Sequence, residues 1–520
     1  MTRAVATLLS LAVCAPLCLA DYSLTVLHTN DMHAHAEATK VQGQVLGGYA
    51  RQATLILRER DKADNTLLLN GGDTFQGTMF FNTYEGLADL AYMNVIGYQA
   101  MAVGNHEFDR GPATLAKFIK NAGFPVLSAN LDVSGEPLLR DLVKPSTVVE
   151  VGGQRIGIVG ATTPDVTNIS SPGPNVKVKD LVASVQEAVD ELMKDKIDKI
   201  ILLSHCGYDV EQDLAKKIHG LDLVVGGHSH TLLGDTGLKN IVSKSPYPTV
   251  VQGADGQKVL VVQAWEWGKV LGRLQVTFDD DGHVKSWDGA PIPVTEDVPE
   301  APFVASLYAA FAKPIEAQRK AVVGEAATAL TRNNADGGST MGDVIADAML
   351  AATKKYGAVA AFTNAGGVRS DLEPGPVTYG KLIEVTPFGN TLVVLELTGA
   401  ELKAAIDHGV SGGGMLYPSA GTSYLYDSAK PAGQRTADII IGGQPLDPTA
   451  TYVVTFNSFT AGGGDNHDAL KAAKGKRTDT GLVDLDAMID YFKAHNPVEA
   501  AKERRTKRAK IDPAQARQAS

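Results

Sequence analysis

The chain has 520 residues, with 59 acidic against 48 basic side chains and a formal net charge of -11. That length exceeds what one hydrophobic core can serve and predicts two large domains or three small ones. The acidic balance excludes a protein that coats nucleic acid, whose footprint would be basic.

The first twenty residues read as a signal peptide. Arg3 supplies the positive start, residues 4–15 form a short apolar run, and small residues near Ala20 offer a cleavage point before Asp21. The run is too short to span a bilayer, and no later run reaches transmembrane length. Two of the three cysteines, Cys14 and Cys18, lie in this segment, so the remaining chain keeps only Cys206 and no intramolecular disulfide. The expected location is periplasmic or secreted. A Cys206 buried and inert is expected.

Residues 23–28 alternate like a strand and end in Thr29-Asn30-Asp31-Met32-His33. Asp31 and His33 are two apart, so they can share a face. His35 follows one step on, and spacing alone does not decide which His serves. Residues 47–60 read as a helix and 66–70 as a buried strand, closed by Gly71-Gly72-Asp73-Thr74-Phe75-Gln76-Gly77. Residues 84–97 read as one helix, and the run 100–103 as a strand delivering Gly104-Asn105-His106-Glu107-Phe108-Asp109. Helix 111–122 and strands 125–129 and 155–160 follow, then helix 182–195. Strand 199–203 ends in Ser204-His205-Cys206-Gly207, and strand 221–225 in Gly226-Gly227-His228-Ser229-His230. Residues 249–278 are β-rich, with Trp265 and Trp267 in strand-like alternation.

Past residue 293 the composition shifts to Ala, Glu and Lys. The expected organisation is a signal peptide (1–20), a catalytic domain (21–295), a helical linker (296–320), a substrate-binding domain (321–500) and a basic tail (501–520). The second αβ region has strands near 359–363, 391–397 and 451–456, with glycine-rich loops at 364–367, 412–414 and 462–464. The tail reads as a solvated charge run.

Open α/β sheets carry their chemistry at the carboxyl ends of strands. A lone His after a strand is more often packed or solvated than a ligand. Here Asp31, His33, Asp73, Asn105, His205, His228 and His230 all fall at strand ends. This set of carboxylate, imidazole and amide exceeds what one ion can use and suits two divalent ions sharing a carboxylate. Such a pair clamps both oxygens of an in-line displacement at phosphorus, and a bridging hydroxide would attack. Mixed N/O ligation points to Zn, Mn or Co. His106 is then free to stabilise phosphoryl charge or protonate the leaving alkoxide, with Asp109 fixing its tautomer.

The blocks D-M-H, GGDTFQG, GNHEFD, SHCG and GGHSH occur in the order seen in calcineurin-like metallophosphoesterases, and residues 24 to about 235 resemble that domain. The whole chain resembles the 5'-nucleotidase family, which includes periplasmic UDP-sugar hydrolases. The resemblance implies an α/β protein: an αββα-sandwich catalytic domain joined by a helical linker to a C-terminal α/β nucleotide-recognition domain. It implies one metal on Asp31, His33, Asp73 and His230, another on Asp73, Asn105, His205 and His228, and a catalytic dyad of His106 and Asp109. His230 departs from the Gln or Asn of similar chains, which leaves metal preference open at that site.

Specificity would come from the second domain. Phe388 and Phe459 match a pair that stacks a base on both faces, and Asp465 matches a ribose ligand. Asn364 and Arg369 match a substrate-binding block, Arg332 is a second phosphate-side arginine, and Asn390 faces the base edge. The expected function is an exported 5'-nucleotidase that releases phosphate from nucleoside 5'-monophosphates, with UDP-sugar or other nucleotide diphosphate cleavage as a further activity. The expected partners are nucleotides and not nucleic-acid polymers. Rival readings are a 2',3'-cyclic-nucleotide phosphodiesterase, a sulfur-oxidation hydrolase on the same scaffold, and a non-catalytic surface binding protein.

Overall fold

The computed structural model describes residues 21–509 apart from 42, 334–336 and 412–413. The expected signal peptide, the middle of the loop 333–339, most of the 412–414 loop and the chain beyond 509 lie outside the described residues.

Two sheets pack face to face in the N-terminal half. One runs in the order Val284–Pro293, Val270–Phe278, Tyr22–Thr29, Thr66–Asn70, Ala100–Ala102, Val126–Leu127, Val143–Lys144. The other runs Thr249–Gln252, Lys258–Val262, Leu223–Val225, Ile200–His205, Gln154–Thr162, Ser146–Val151. The strands that carry the motif blocks run parallel to one another within each sheet, while Tyr22–Thr29 pairs antiparallel with Val270–Phe278 on its other side. Leu24, Val26, Leu67 and Leu69 of the first sheet meet Ile158, Leu202, Val224 and Val261 of the second in one buried cluster. Helices Tyr49–Arg60 and Leu87–Ile96 cover the first sheet's outer face, while Leu181–Lys194 and Tyr208–Lys217 cover the second's. Burial on both faces explains why these strands read as continuous apolar runs. The expected αββα sandwich is therefore present.

The C-terminal half is built on the sheet Leu416–Pro418, Ala360–Asn364, Thr451–Asn457, Thr391–Thr398, Arg477–Val483. Ile345 and Met349 of helix Thr340–Thr353 and Met488 and Phe492 of helix Asp484–Ala494 are buried on one side. Leu402, Ala405 and Ile406 of helix Gly399–Gly409 cover the other.

Three expectations need correction. The helix expected over 84–97 starts later, at Leu87–Ile96, because left-handed Glu85 and Gly86 separate it from a further short helix, Met79–Tyr84. A Cβ on Gly86 would lie 2.3 Å from the Phe75 ring, so glycine permits a turn that the apolar spacing does not reveal. Trp265 and Trp267 are not on a strand. Both have φ of 58°, in a turn between Lys258–Val262 and Val270–Phe278. The tail is not wholly solvated, because Thr506–Arg508 pairs in parallel with Ser423–Tyr426. Within the expected helical linker, Pro302–Arg319 forms a helix that packs on its neighbours. Val304, Tyr308 and Ile315 are buried, and Tyr308 donates to the Ala88 carbonyl at 3.1 Å.

Candidate metal centre and nucleotide site

The strand ends of both sheets converge on one buried cluster. His205 Nε2 lies 3.0 Å from Asp73 Oδ2, and His230 Nε2 lies 3.2 Å from Asp31 Oδ1 and 3.2 Å from His33 Nε2. His33 and His106 each place Nε2 3.9 Å from Asp73 Oδ2. Three overlapping ligand groups result: Asp31–His33–His230, His33–Asp73–His106 and Asp73–His205–His228. Asp73 belongs to two of them. Of the expected ligands, Asn105 alone stands outside these groups, which comprise only imidazole and acidic donors. Its Oδ1 is buried without a hydrogen-bond partner. His33, not His35, is the imidazole in the cluster. His35 instead stacks on Trp267, with ring centroids 4.0 Å apart.

Unusual backbone aims these side chains. Asp31, His33, Asp73, His228 and His230 all have positive φ, strain that elements persist in only when their surroundings hold them. Glu107, which the sequence reading left without a role, supplies part of that hold. Its carboxylate accepts from the N–H groups of Asp73, Thr74, Phe75 and Gly104 at 2.7–3.2 Å. Close packing does the rest. A Cβ on Gly104 would lie 2.2 Å from Asp73 Oδ1, and one on Gly77 2.2 Å from the His33 carbonyl oxygen.

Besides His106, whose Nδ1 meets Asp109 Oδ2 at 2.6 Å, three of the imidazoles have their second nitrogen anchored. His33 Nδ1 meets the Phe75 carbonyl at 2.8 Å and His205 Nδ1 the Gly71 carbonyl at 2.7 Å, while His230 Nδ1 lies 2.5 Å from Glu266 Oε2. Such anchors turn Nε2 toward a metal and fix the tautomer. Glu266 is held in turn by Lys269 at 2.6 Å, whose ammonium sits over both the Trp265 and Trp267 rings.

The electrostatics fit a cation. Burial alone would raise the Asp73 carboxyl, but the imidazoles of His205 and His106 outweigh it and hold it well below the usual range. Conversely, burial lowers His205 and His230, yet Asp73 lifts the first to about 10 and Asp31 and Glu266 lift the second to about 9. Two buried carboxylates thus demand positive charge. His205 Nε2, although close to Asp73, makes no aligned hydrogen bond and is free to ligate. A thiolate-free set of imidazole, carboxylate and amide suits first-row divalent ions. Cys206 lies beside the cluster but is buried, and burial pushes its thiol up to about 12.

The C-terminal half meets this centre. The Phe388 ring stacks on His106, centroids 5.6 Å apart and 20° from parallel, and the Arg369 guanidinium lies 5.7 Å over the Phe388 ring. His33, Gln76, Trp267, Arg369, Glu384 and Phe388 line a cavity of about 10 Å³ at this seam. Arg332 donates to the Arg369 carbonyl at 2.6 Å and so props that residue. Asn364 donates to Asp465 Oδ2 at 2.7 Å, and Asn457 donates to Asn364 Oδ1 at 2.9 Å. Phe459 packs its ring over Gly464. Asn390 is engaged elsewhere: its amide approaches Asp484 at 3.4 Å and Ser458 at 3.5 Å.

The calcineurin-like phosphoesterase family matches residues 24–232, and the 5'-nucleotidase C-terminal domain family matches residues 322–472. A 5'-nucleotidase of Diplobatis ommata is 37% identical over 525 residues, covering 94% of this chain and 90% of its own. The chain belongs to the 5'-nucleotidase family. A snake venom 5'-nucleotidase of Crotalus adamanteus is 34% identical over 530 residues, 95% of this chain and 90% of its own. Among solved structures, a 5'-nucleotidase precursor from Thermus thermophilus is similar with a TM-score of 0.89 at 44% identity, covering 94% of this chain and all of that one. Membership in this family makes the protein a metal-dependent phosphoester hydrolase, with the His/Asp groups as candidate ligands. Among the described residues, no helix is long and apolar enough to cross a membrane.

Proposed function

We propose that the protein is an exported 5'-nucleotidase. It hydrolyses nucleoside 5'-monophosphates to nucleoside and phosphate, with nucleotide diphosphates such as UDP-sugars as further substrates. The observation that carries this reading is the seam itself. Phe388 and Arg369 from the C-terminal half stand directly over His106, so an ester held at the His/Asp cluster would present its alcohol to the recognition loops.

Asp31, His33, Asp73 and His230 would hold one divalent ion, and Asp73, Asn105, His205 and His228 a second, with Asp73 shared. When bound, such a pair supplies Lewis acidity toward phosphoryl oxygens and a nucleophile at neutral pH. The protein's own groups do the rest. Asp109 Oδ2 holds His106 Nδ1 at 2.6 Å, which turns His106 Nε2 toward the reacting face. Two nearby carboxylates outweigh the lowering effect of burial and raise the affinity of His106 for a proton, as suits a donor to the leaving 5'-oxygen. Arg369 faces the phosphate or ribose oxygens, Arg332 holds it there, and the Asn364–Asp465 pair presents a carboxylate to the ribose hydroxyls.

Residues 21–295 form the catalytic half and 321–500 the recognition half. The secreted nature implied by a venom relative's name and the apolar start of this chain both support export.

Hydrolysis of AMP and of p-nitrophenyl phosphate, each with and without chelator, tests the reading. Metal-dependent preference for AMP is expected. Metal-dependent but equal turnover would remove the base pocket and keep the clamp. A chain that turns over neither ester would favour the sulfur-ester or binding-protein alternatives.

A further inference from the structure

The hydrogen-bonded chain that begins at His106 does not end at Asp109. Asp109 Oδ2 pairs with His106 Nδ1 at 2.6 Å, and Oδ1 accepts the Ser170 hydroxyl at 2.6 Å. Ser170 belongs to none of the motif blocks and lies 61 residues from Asp109. It closes the short helix Val166–Ile169 and donates its N–H to the Val166 carbonyl at 3.1 Å. Val166 is fully buried, which fixes the turn to the catalytic half. The same helix packs against Gly464–Asn466 of the C-terminal half, so the turn is held from both sides.

A carboxylate tied through one oxygen still rotates, because terminal sp³–sp² torsions are broad. Anchoring the second oxygen fixes the carboxylate plane and, through it, the imidazole's direction.

We propose that Ser170 is a positioning residue of the reaction, the third member of a His106–Asp109–Ser170 chain that aims His106 at the leaving oxygen. This rests on reading His106 as the donor to that oxygen. No atom of Ser170 touches substrate. It acts by keeping the imidazole N–H on the line along which the proton moves to the departing 5'-alkoxide.

The test uses the full chain and the variants Ser170→Ala, Ser170→Thr and His106→Ala, with metal content per chain measured for each. Turnover of AMP, whose alkoxide needs a proton to leave, is compared with that of p-nitrophenyl phosphate, whose phenolate does not. Ser170→Ala is expected to lower kcat on AMP about tenfold, part of the roughly 10²–10⁴-fold that a positioned acid supplies, and to change p-nitrophenyl phosphate less than about twofold. Ser170→Thr, which keeps the hydroxyl, is expected to restore AMP turnover, with KM and bound metal unchanged throughout. Equal losses on both esters, or no loss on AMP, would overturn the assignment. His106→Ala separates the two layers: unchanged AMP turnover there removes the dyad and Ser170 with it. A large loss in His106→Ala beside none in Ser170→Ala removes Ser170 alone.

Discussion

Asp73 is where the metal centre is most vulnerable. It stands within 3.0–3.9 Å of His205, His33 and His106, so one side chain serves two ligand groups. Asp73→Asn is expected to lower bound metal and to cut turnover by at least about 10²-fold, the scale seen when one aimed electrostatic group is removed. Elemental analysis beside phosphate release checks both. Retained metal with normal turnover would contradict the shared-ligand reading. Glu107 does different work, since its four N–H donors shape the loops rather than the chemistry. Glu107→Ala leaves buried donors unpaired and is expected to cost about 3 kcal/mol or more, read as a shift in denaturant midpoint. The candidate ligand cluster was legible in the sequence because each block is local: a strand, a glycine turn and a donor within a few residues. Glu107, Glu266 and Ser170 were not. Three of Glu107's four donors lie 32–34 residues away, Glu266's partner His230 36 and Ser170's partner Asp109 61, and only the fold brings them together.

At the scale of elements, hydrophobic period found most strands and helices, and its failures have specific causes. Trp265 and Trp267 alternate like a strand, yet their spacing serves Lys269, whose ammonium lies 4.6 and 3.9 Å from the two rings. The basic run near the end looks solvated because its charge partner is distant. Arg505 makes two 2.8 Å contacts with Asp347, 158 residues away, beside the strand Thr506–Arg508. Arg505→Ala would strand a largely buried carboxylate, and a loss of about 3 kcal/mol is expected, checked by thermal or denaturant unfolding. The loop after helix Tyr379–Val385 carries Phe388, the proposed base-stacking residue. Phe388→Ala is expected to cost about 1–3 kcal/mol in kcat/KM for AMP, the usual worth of one base–aromatic stack, with no effect on p-nitrophenyl phosphate. Equal losses on both esters would place Phe388 in support of His106, on which it also stacks.

For the whole molecule, the sequence suggested two domains and a helical linker, and a helix runs through Pro302–Arg319. Pro314 sits inside that helix, and its stripe Val304, Tyr308 and Ile315 is buried. The helix packs on both halves: on Tyr49–Arg60 of the first and on Tyr379–Val385 of the second. Arg319 at its end pairs with Glu37 across the seam. In this arrangement the candidate metal ligands and the loop bearing Phe388 face each other, so on the proposed reading chemistry and recognition would share one site.

That union is most directly tested by phosphate release from AMP, UDP-glucose, 2',3'-cyclic AMP and p-nitrophenyl phosphate, each with chelator and with added Mn, Zn or Co. The expected result is turnover abolished by chelator, restored by a divalent ion, and strongly favouring AMP over p-nitrophenyl phosphate. Turnover that survives chelation, or AMP and p-nitrophenyl phosphate cleaved equally well, would contradict it.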